Sequence, residues 1–386
     1  MRPSSRLQHI TKIGVEEMGD LADSLSDPDV LRLENLDTNI LPPESAITVT
    51  RKAIVDDDAN SYLPFFGRDS LRKAATGLVE RQSGMKYDWK TESLICAGGL
   101  SGILNVLLSS LEPGDEVLMT NPTYVGLINR VRLAGGVPRY VPLLPTREGW
   151  RLDREELATI EHGPVRALLM MSPSMPTGAV FDQQDWEALA DFARKADCLL
   201  INDSAMERIL FDGLEVIHPA SLEGMRDRVV TVGSASKEYR MIGWRVCWVV
   251  GPAEFVADVA RVSISNVVCQ TGIAMEAVAT AIEDQEDGVL DSTRRLQARR
   301  DLLLEELSEF RPIPPHGGWS MLIDVSPLGI DGPTASALLL EKGKIAATPM
   351  VNWGGENCAN YIRLVFSNES IERLTGIGDR FRLALG

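Results

Sequence analysis

One lysine stands in a sequence context that favours covalent or proton-transfer chemistry. Lys237 follows an apolar, strand-like run inside a serine-rich turn, and Arg245 comes eight residues later, in TVGSASKEYRMIGWRVCWVVG. A lysine acts as a nucleophile or a base only when its amine loses a proton, and a neighbouring guanidinium favours that loss. Most lysines in turns are solvated and inert, so this segment has to be weighed together with the rest of the chain.

The same turn contains Ser234 three residues before Lys237, which fits the S-x-x-K pattern of penicillin-binding proteins and β-lactamases. Those serine enzymes also require S-D-N and K-T-G segments, and the sequence contains neither. Their S-x-x-K pattern begins a helix, whereas here it follows a strand late in an alternating pattern of strands and helices. The sequence therefore disfavours a serine nucleophile.

The segment resembles the cofactor-binding segment of fold-type I aminotransferases, the pyridoxal-phosphate (PLP) enzymes related to aspartate aminotransferase. Their usual form is S-x-S-K-x-x-x-x-x-G-W-R-x-G, and Cys247 here replaces its last glycine. The matching residues are Ser234, Ser236, Lys237, Gly243, Trp244 and Arg245. The resemblance implies that Lys237 holds PLP as a Schiff base, that Ser234 and Arg245 bind its phosphate, and that Ser236 also belongs to the cofactor site. Further matches in the family's order extend the resemblance over nearly the whole chain.

Two earlier segments match the same family. NSYLPFFGRDSLRKA places Tyr62 where the family's tyrosine reaches the cofactor phosphate of the partner subunit, which implies a homodimer. CAGGLSG places Gly98, Gly99 and Leu100 between a strand and a helix, where backbone N–H groups can bind a phosphate. Glycines in such turns more often serve only the turn, so it is the match to the family that favours a phosphate site.

Two further matches place side chains near the cofactor ring. Tyr124, in PGDEVLMTNPTY, corresponds to an aromatic residue that stacks on the pyridine, although tyrosines near turns more often only pack. Asp203 ends a buried apolar strand, where a carboxylate is costly unless it meets a cation such as a protonated pyridine nitrogen. The alternative for Asp203 is an ordinary helix N-cap. The resemblance favours the cofactor role.

The last match, ENCANYIRLVFSN, places Arg363 in a strand and resembles the family's arginine that binds the substrate's α-carboxylate. A guanidinium binds a carboxylate through two parallel hydrogen bonds, which also orients the substrate. The ordinary alternative is an arginine on the polar face of a half-buried strand. The PHGGW segment, which ends at Trp319, resembles the family's strand entry that borders the substrate.

Three positions depart from the family's pattern. Met175 in SPSMPTG and Met206 in DSAM replace an asparagine and a tyrosine that donate hydrogen bonds to the cofactor's phenolic oxygen. Without those donors, that oxygen is expected to hold the Schiff-base proton more tightly and to raise its pKa. Leu36, in LENLDTNILPP, replaces a glycine that approaches the substrate carboxylate, and is expected to narrow the pocket. As an alternative at Met175 and Met206, the missing hydrogen bond to the phenolic oxygen is donated by a neighbouring side chain: Asn202, Ser172 or Ser174.

These residues need a scaffold that brings distant parts of the chain together. Between about residues 71 and 250, short apolar runs alternate with amphipathic helical segments, a pattern typical of a parallel sheet covered by helices. In such sheets ligands bind at the carboxyl ends of the strands. The predicted strands are 94–96, 116–119, 167–171, 198–201, 228–232 and 246–250.

The predicted fold class is α/β. The resemblance implies the PLP-dependent transferase fold, with a mainly parallel seven-stranded sheet in the large domain and a smaller α+β domain. We expect residues 1–45 to form a polar, irregular arm that is part of the small domain, residues 46–285 to form the large PLP-binding domain, and residues 286–386 to form the C-terminal small domain. A charged helix over 293–310 and a strand near 321–325 are predicted in that last part.

Composition disfavours several classes of protein. The 386 residues include 39 Lys and Arg against 55 Asp and Glu, a net charge of -16, which makes nucleic acids and membranes poor partners. Five scattered cysteines indicate neither a disulfide framework nor a metal site. Because no apolar run is long enough for a signal peptide or a membrane span, a cytoplasmic location is expected.

The resemblance implies transamination between an amino acid and a 2-oxo acid. Lys237 would hold PLP and move the substrate's α-proton, Asp203 would keep the pyridine nitrogen protonated, and Arg363 would fix the substrate carboxylate. One alternative is a PLP-dependent lyase, cyclase or oxidase, because the altered surroundings at Met175 and Met206 can change the outcome of the reaction. Another is a catalytically silent binding protein on the same fold. The sequence does not identify the amino acid or the oxo acid.

Overall fold

A computed structural model describes residues 4–386 of the chain. Its strands and helices are numbered in chain order. The strands are β1 (Leu31–Arg32), β2 (Ser93–Cys96), β3 (Glu116–Asn121), β4 (Val137–Thr146), β5 (Gly149–Leu152), β6 (Val165–Met171), β7 (Leu199–Asp203), β8 (Val229–Ser234), β9 (Cys247–Val250), β10 (Ser320–Asp324), β11 (Ile345–Ala346), β12 (Thr348–Pro349) and β13 (Tyr361–Val365).

The helices are α1 (Val15–Leu25), α2 (Glu44–Ala53), α3 (Asp69–Ser83), α4 (Gly99–Ser110), α5 (Val125–Leu133), α6 (Arg154–Thr159), α7 (Gln183–Ala196), α8 (Ala253–Val267), α9 (Gly272–Glu283), α10 (Val289–Glu306), α11 (Gly332–Gly343), α12 (Ile371–Leu374) and α13 (Ile377–Leu385). Short 3₁₀ helices occupy Ser5–His9, Pro219–Ser221, Ile242–Trp244, Ser308–Phe310, Ser326–Leu328 and Glu356–Asn360.

The larger sheet has the strand order β2-β9-β8-β7-β6-β3-β4-β5. Its pairings are parallel from β4 through β3, β6 and β7 to β8, whereas β9 is antiparallel to both its neighbours and β5 returns antiparallel on β4. The predicted mainly parallel sheet is confirmed. It has eight strands rather than seven, because β4 runs past its pairing with β3 and the chain folds back as β5.

The central strands are buried on both faces. In β3, Leu118 packs in a core that includes Trp186 of α7, whereas Val117 and Met119 pack in a second core that includes Ile103 of α4. Successive side chains of a strand point to opposite faces, so a strand covered on both sides needs a continuous apolar run. For this reason the apolar runs located six strands correctly: β2, β3, β6, β7, β8 and β9 each overlap a predicted strand.

The pattern of apolar runs does not predict β4. This strand contains Pro138, Pro142 and Pro145, and proline cannot donate a hydrogen bond to a neighbouring strand. The prolines are tolerated because β4 lies next to the edge of the sheet, where its pairing passes from β3 over 137–142 to β5 over 143–146. A strand of this kind is recognised from its partners rather than from its composition.

The smaller sheet is antiparallel, with the order β10-β13-β12, and it packs against α11. Its middle strand, β13, carries Arg363, which pairs with Leu322 of β10 and Thr348 of β12. The predicted charged helix is α10, which begins at Val289, and the predicted strand near 321–325 is β10. The second sheet therefore presents Arg363 from its centre.

The first 45 residues differ from the expected irregular arm. Residues Val15–Leu25 form α1, whose Met18 and Ala22 pack with Val30 and Leu340. Apolar residues at 15, 18 and 22 have the spacing of an amphipathic helix, so the expectation of irregular structure is wrong for this part. Beyond α1, strand β1 pairs in parallel with β11, near the opposite end of the chain.

Among the helices of residues 4–386, none has both the length and the apolar content needed to cross a membrane. In the same range, no three His, Cys, Asp or Glu side chains are grouped so that they could hold a metal ion. The five cysteines are free thiols.

Candidate active site

Several of the residues singled out in the sequence meet at the carboxyl edge of the larger sheet. Asp203 is the last residue of β7, and Ser234 is the last residue of β8. Lys237 follows β8 by three residues in a turn, while Met171 ends β6 and pairs with Asp203. Parallel strands end at the same edge of a sheet, which makes neighbours of residues that are far apart in sequence.

These residues border a cavity of about 260 Å³, which we call the chamber. Eleven predicted site residues line the chamber: Leu36, Gly99, Leu100, Tyr124, Met175, Asp203, Met206, Ser234, Ser236, Lys237 and Arg245. Three others do not line it, since Gly98 lies against Arg245, Arg363 borders an adjoining recess and Tyr62 is at the surface. Sequence reasoning missed four residues of the lining: Asn35, Met171, Ala205 and Ile242.

The amine of Lys237 is held at the wall of the chamber. Its Nζ donates a hydrogen bond to the backbone carbonyl of Leu36 at 2.8 Å. Burial lowers the pKa of Lys237 to about 7; Asp37 opposes this effect, whereas Arg363 and Arg245 add to it. An amine with such a pKa is partly uncharged at neutral pH, which is the state that nucleophilic and base chemistry require.

A cup suited to an anion forms where α4 begins. Gly98, the residue before α4, has φ = +87°, and a Cβ on it would lie 2.4 Å from Nη2 of Arg245. Glycine therefore lets the guanidinium lie against the helix N-terminus. Arg245 also donates to Oγ of Ser236 at 3.4 Å, and Oγ of Ser234 donates to the same oxygen at 3.0 Å. Helix N–H groups, two hydroxyls and a guanidinium together suit a phosphate.

Asp203 brings a buried carboxylate to the chamber. The residue is 4% exposed, and it accepts a hydrogen bond from the N–H of Ala205 at 3.2 Å. Burial raises the pKa of Asp203 to about 7, so a cation in the chamber would stabilise its charged form. Residues 205–208 form a turn rather than a helix, and the N-cap alternative for Asp203 is therefore wrong.

Tyr124 both packs in the core and borders the chamber. Its ring centre lies 5.4 Å from that of Trp353, at an angle of 54°. Gly126 leaves room for the ring, because a Cβ there would lie 2.4 Å from it. The two roles weighed for Tyr124, packing and stacking on a ligand, are thus compatible, since packing fixes the ring beside the chamber.

Arg363 is fully buried rather than placed on a polar face. It is 1% exposed, and its Nη2 donates to the carbonyl of Glu34 and to Oγ1 of Thr348, the latter at 3.2 Å. Its guanidinium lies 4.7 Å from the ring centre of Trp353, and its Nε has no hydrogen-bond partner among the described residues. Burial lowers the pKa of Arg363 to about 10, which leaves it cationic at neutral pH and ready for an anion.

The two methionines that replace polar residues of the family both reach the chamber. Met175 is 4% exposed and Met206 is 2% exposed. Sδ of Met175 lies 3.7 Å from Nη1 of Arg363. Among the alternative donors, the side chain of Asn202 points to Glu207 and His218, and Oγ of Ser172 accepts from the N–H of Phe181; with Ser174 they lie outside the lining of the chamber.

Lys237 and Arg363 each lie near a tryptophan ring, and the sequence motifs indicated only one of these two rings. The ring centre of Trp319 lies 4.6 Å from Nζ of Lys237, and Trp353 lies under Arg363. PHGGW indicated Trp319 as a residue near the substrate. Trp353 lies in a loop after β12 and carries no motif, so its role depends on the pairing of β12 with β13.

Tyr62 is separate from the chamber of its own chain. It lies in the segment between α2 and α3 and is 85% exposed. Ile54, Val55 and Phe65 in the same segment are also exposed. The chain thus presents Tyr62 among apolar side chains at its surface.

The fold and the chamber together define a class of protein. A lysine after a strand of a mainly parallel sheet, an anion cup at a helix N-terminus and a buried aspartate are the arrangement of the fold-type I PLP-dependent transferases.

Comparisons with known proteins agree with that class. Residues 32–376 match the family model for aminotransferase class I and II. Aromatic-amino-acid aminotransferase 2 of Thermococcus litoralis is 29% identical over 391 residues, covering 100% of this chain and 98% of that protein. The probable N-succinyldiaminopimelate aminotransferase DapC of Mycobacterium tuberculosis is 35% identical over 297 residues, covering 75% of this chain and 74% of that protein. The solved aspartate aminotransferase of Thermus thermophilus with maleate matches with a TM-score of 0.90 at 30% identity, with 99% of both chains covered.

The chain belongs to the aminotransferase class I and II family. Enzymes of this family are PLP-dependent, and the protein is an aminotransferase. The predicted family, fold class and reaction are therefore confirmed.

The position of Lys237 leads to a prediction about its reactivity. In the protein without cofactor, labelling by acetic anhydride, which reacts only with uncharged amines, is expected to reach half its maximum for Lys237 near pH 7, because burial lowers the pKa. Lys344 serves as the internal control, since its hydrogen bond to Asp27 raises its pKa. Peptide mass spectrometry measures both sites in one sample. Half-maximal labelling of Lys237 at the same alkaline pH as Lys344 would contradict the prediction.

Proposed function

We propose that this aminotransferase holds PLP in the chamber on Nζ of Lys237 and transfers the α-amino group of an amino acid to a 2-oxo acid. The observation that carries the proposal is the convergence of Lys237, Asp203 and the cup at Arg245 on one cavity. The residues fit the cofactor: Arg245, with a glycine that clears space for it, suits the phosphate. Asp203 suits a protonated ring nitrogen, and Lys237 has the partly uncharged amine that a carbonyl requires.

PLP, when bound, supplies an electron sink for the negative charge that develops on the substrate's α-carbon. Lys237 would take the proton from that carbon and deliver it to C4′ of the bound cofactor, a role for which a pKa near neutrality is well matched. Asp203 stays ionised beside a cationic ring nitrogen and holds the proton there. Met175, Met206 and the aromatic rings of Tyr124 and Trp319 limit the access of water.

Arg363 is proposed to bind the α-carboxylate of both substrates. It remains cationic, it is fixed by Glu34, Thr348 and Trp353, and its Nε is free to donate. Binding through two hydrogen bonds would fix which bond of the α-carbon faces the ring. Leu36 borders both the chamber and the recess next to Arg363, and its side chain is proposed to line the substrate site. The relatives act on different amino acids, so their names do not transfer a side-chain specificity.

The proposal is tested by replacing the lysine. Lys237→Ala is expected to abolish the absorbance band of lysine-bound PLP and to lower turnover by at least about 1,000-fold, because both the attachment and the proton transfer are lost. The control is Lys52→Ala, at an exposed position on α2.

The wild-type protein loaded with PLP is mixed with single amino acids, and the appearance of the pyridoxamine band is recorded, followed by its reversal with a 2-oxo acid.

Other outcomes of that experiment have distinct meanings. Release of ammonia or consumption of oxygen without the pyridoxamine band would replace transamination with a lyase or oxidase reaction. An unchanged lysine-bound band in Lys237→Ala would show that the assignment of the lysine is wrong.

The two methionines lead to a prediction about pH. Because donors to the phenolic oxygen lower the basicity of the neighbouring linkage to Lys237, Met175→Asn is expected to move the pH midpoint of the visible absorbance of the PLP-loaded protein down by about one pH unit. Met171→Leu, at another residue of the chamber lining, is the control and should leave the midpoint unchanged. An equal midpoint in wild type and Met175→Asn would show that another group already donates to that oxygen.

The protein is proposed to act as a homodimer in which Tyr62 reaches the cofactor phosphate of the partner subunit. Tyr62 is 85% exposed and lies outside its own chamber. Its segment also exposes Ile54 at 57% and Val55 at 84%. A cluster of exposed apolar side chains around a functional tyrosine supports a subunit interface there.

Mixing two inactive variants tests this sharing of sites. Lys237→Ala and Tyr62→Ala homodimers are each expected to have low activity. After subunit exchange, a hybrid dimer would contain one site with both wild-type residues, since Lys237 and Tyr62 come from different chains. Activity should therefore reappear on mixing, as measured by the pyridoxamine band. Activity that stays at the level of the separate variants would place Tyr62 and Lys237 in the same chain's site.

We also propose a division into residues 1–45, 46–285 and 286–386, with the first and last segments forming the small domain. The parallel pairing of β1 with β11 and the gap between α9 and α10 support these limits. A cytoplasmic location is proposed because the cysteines are free thiols, as expected in a reducing compartment.

A further inference from the structure

A recess of about 400 Å³ adjoins the chamber and extends from it toward α1. The recess and the chamber share Asn35, Leu36, Tyr124 and Met175 in their linings. Arg363 stands at the recess, so a substrate whose α-carboxylate binds there would direct its side chain into this space. The recess is therefore the space available to the side chain of an amino donor held in this way.

The walls of the recess carry more negative than positive charge. Its carboxylates are Glu16, Asp20 and Asp23 from α1, together with Glu34 after β1. Its cations are Arg32 and Arg363. Arg32 is already paired with two of the carboxylates, Asp23 and Glu34, and under the proposed function Arg363 is paired with the substrate. The remaining charge repels a distal carboxylate and attracts a cation.

One carboxylate oxygen of Glu34, in the wall of the recess, lacks a hydrogen-bond donor among the described residues. The residue is 0% exposed, and its Oε1 accepts from Nε of Arg32 at 2.8 Å. Its second oxygen, Oε2, is buried and has no hydrogen-bond partner among the described residues. A buried carboxylate oxygen without a donor is costly, and an N–H donor from a ligand in the recess would remove that cost.

Gly19 lines the recess beside Arg32 and Glu34. It lies inside α1, where glycine is less favourable than alanine for helix stability. A Cβ on Gly19 would lie 3.7 Å from Nη2 of Arg32 and 3.8 Å from Oε1 of Glu34. These are ordinary contact distances, so a small side chain would fit at this position and would lie directly beside Arg32 and Glu34.

We propose that the amino donor carries a cationic side chain, an ammonium or a guanidinium, that binds in the recess to Glu34 and Asp20. This rests on the proposed function for the orientation of the substrate. Glu34 supplies the buried, specific contact, and Asp20 supplies an exposed charge at the mouth of the recess. Glu34 thus determines which side chain of the amino donor is accepted, and Asp203 and Lys237 do not contribute to this specificity.

The test uses a pair of ligands that cannot react. 5-Guanidinopentanoate has the carboxylate and the cationic group but no α-amino group, and 5-ureidopentanoate is its uncharged counterpart of nearly the same shape. Calorimetry with the PLP-loaded protein is expected to show that the guanidino compound binds roughly 10- to 100-fold more tightly, as for a buried charge-assisted hydrogen bond. Neither result depends on transamination.

Two variants and a control assign the effect to residues. Glu34→Gln is expected to abolish most of the preference for the guanidino compound, and Asp20→Asn to reduce it. Asp20 is exposed on α1, so its substitution reports on the recess even where Glu34→Gln disturbs the pairing with Arg32. The control is Glu17→Gln, also on α1 but outside the recess and paired with Lys12, which should bind like wild type.

The outcomes separate this inference from the proposed function. Equal affinities of the two compounds, or a preference that persists in both Glu34→Gln and Asp20→Asn, would overturn the cationic donor. In parallel, arginine and citrulline are compared as donors through the pyridoxamine band. Selective binding of the guanidino compound without that band from any amino acid would refute transamination and leave the recess assignment standing. A band from citrulline equal to that from arginine, with equal binding, would refute the recess assignment alone.

Discussion

The active site depends on keeping the amine of Lys237 out of water while the charged groups of Asp37, Arg245 and Arg363 lie near it. Desolvation disfavours the ammonium form, and the guanidinium groups of Arg245 and Arg363 act in the same direction. The carbonyl of Leu36 holds the amine in place by accepting its hydrogen bond. If the chamber were open to solvent, the pKa of the lysine would return toward its ordinary value, and the amine would be almost fully protonated at neutral pH.

The larger sheet brings these groups together because its parallel strands end at the same edge. Asp203 and Ser234 end neighbouring parallel strands, and Lys237 follows in the next turn. Helix α4 then adds its N-terminus to the same edge, and Gly98 allows Arg245 to reach it. The edge of the sheet thus gathers into one cavity several charged groups that are each costly to bury without a partner. The smaller sheet adds Arg363 from a fully buried strand.

Much of this arrangement was predictable from the sequence. Buried parallel strands are continuous apolar runs, so the strands that end at Met171, Asp203 and Ser234 were located correctly, and the motif around Lys237 indicated the chemistry. Strand β4 was not predictable in the same way, because its prolines oppose strand formation and are tolerated only because each part of β4 pairs with a single neighbouring strand. Helix α1 was missed although Val15, Met18 and Ala22 have helical spacing, because this apolar face is short and most of the surrounding residues are polar.

The hydrogen bond from Arg363 to the carbonyl of Glu34, and the pairing of β1 with β11, join early and late segments of the chain beside the recess. A ribosome releases the segment around Leu36 first and the residues that cover it last. A nascent or truncated chain that ends before residue 345 contains Lys237 and the anion cup, but it has neither the partner of β1 nor Arg363. Such a chain exposes an unpaired strand edge, which favours aggregation. The wall of the pocket next to Arg363 therefore forms only after residues 345–363 have been synthesised.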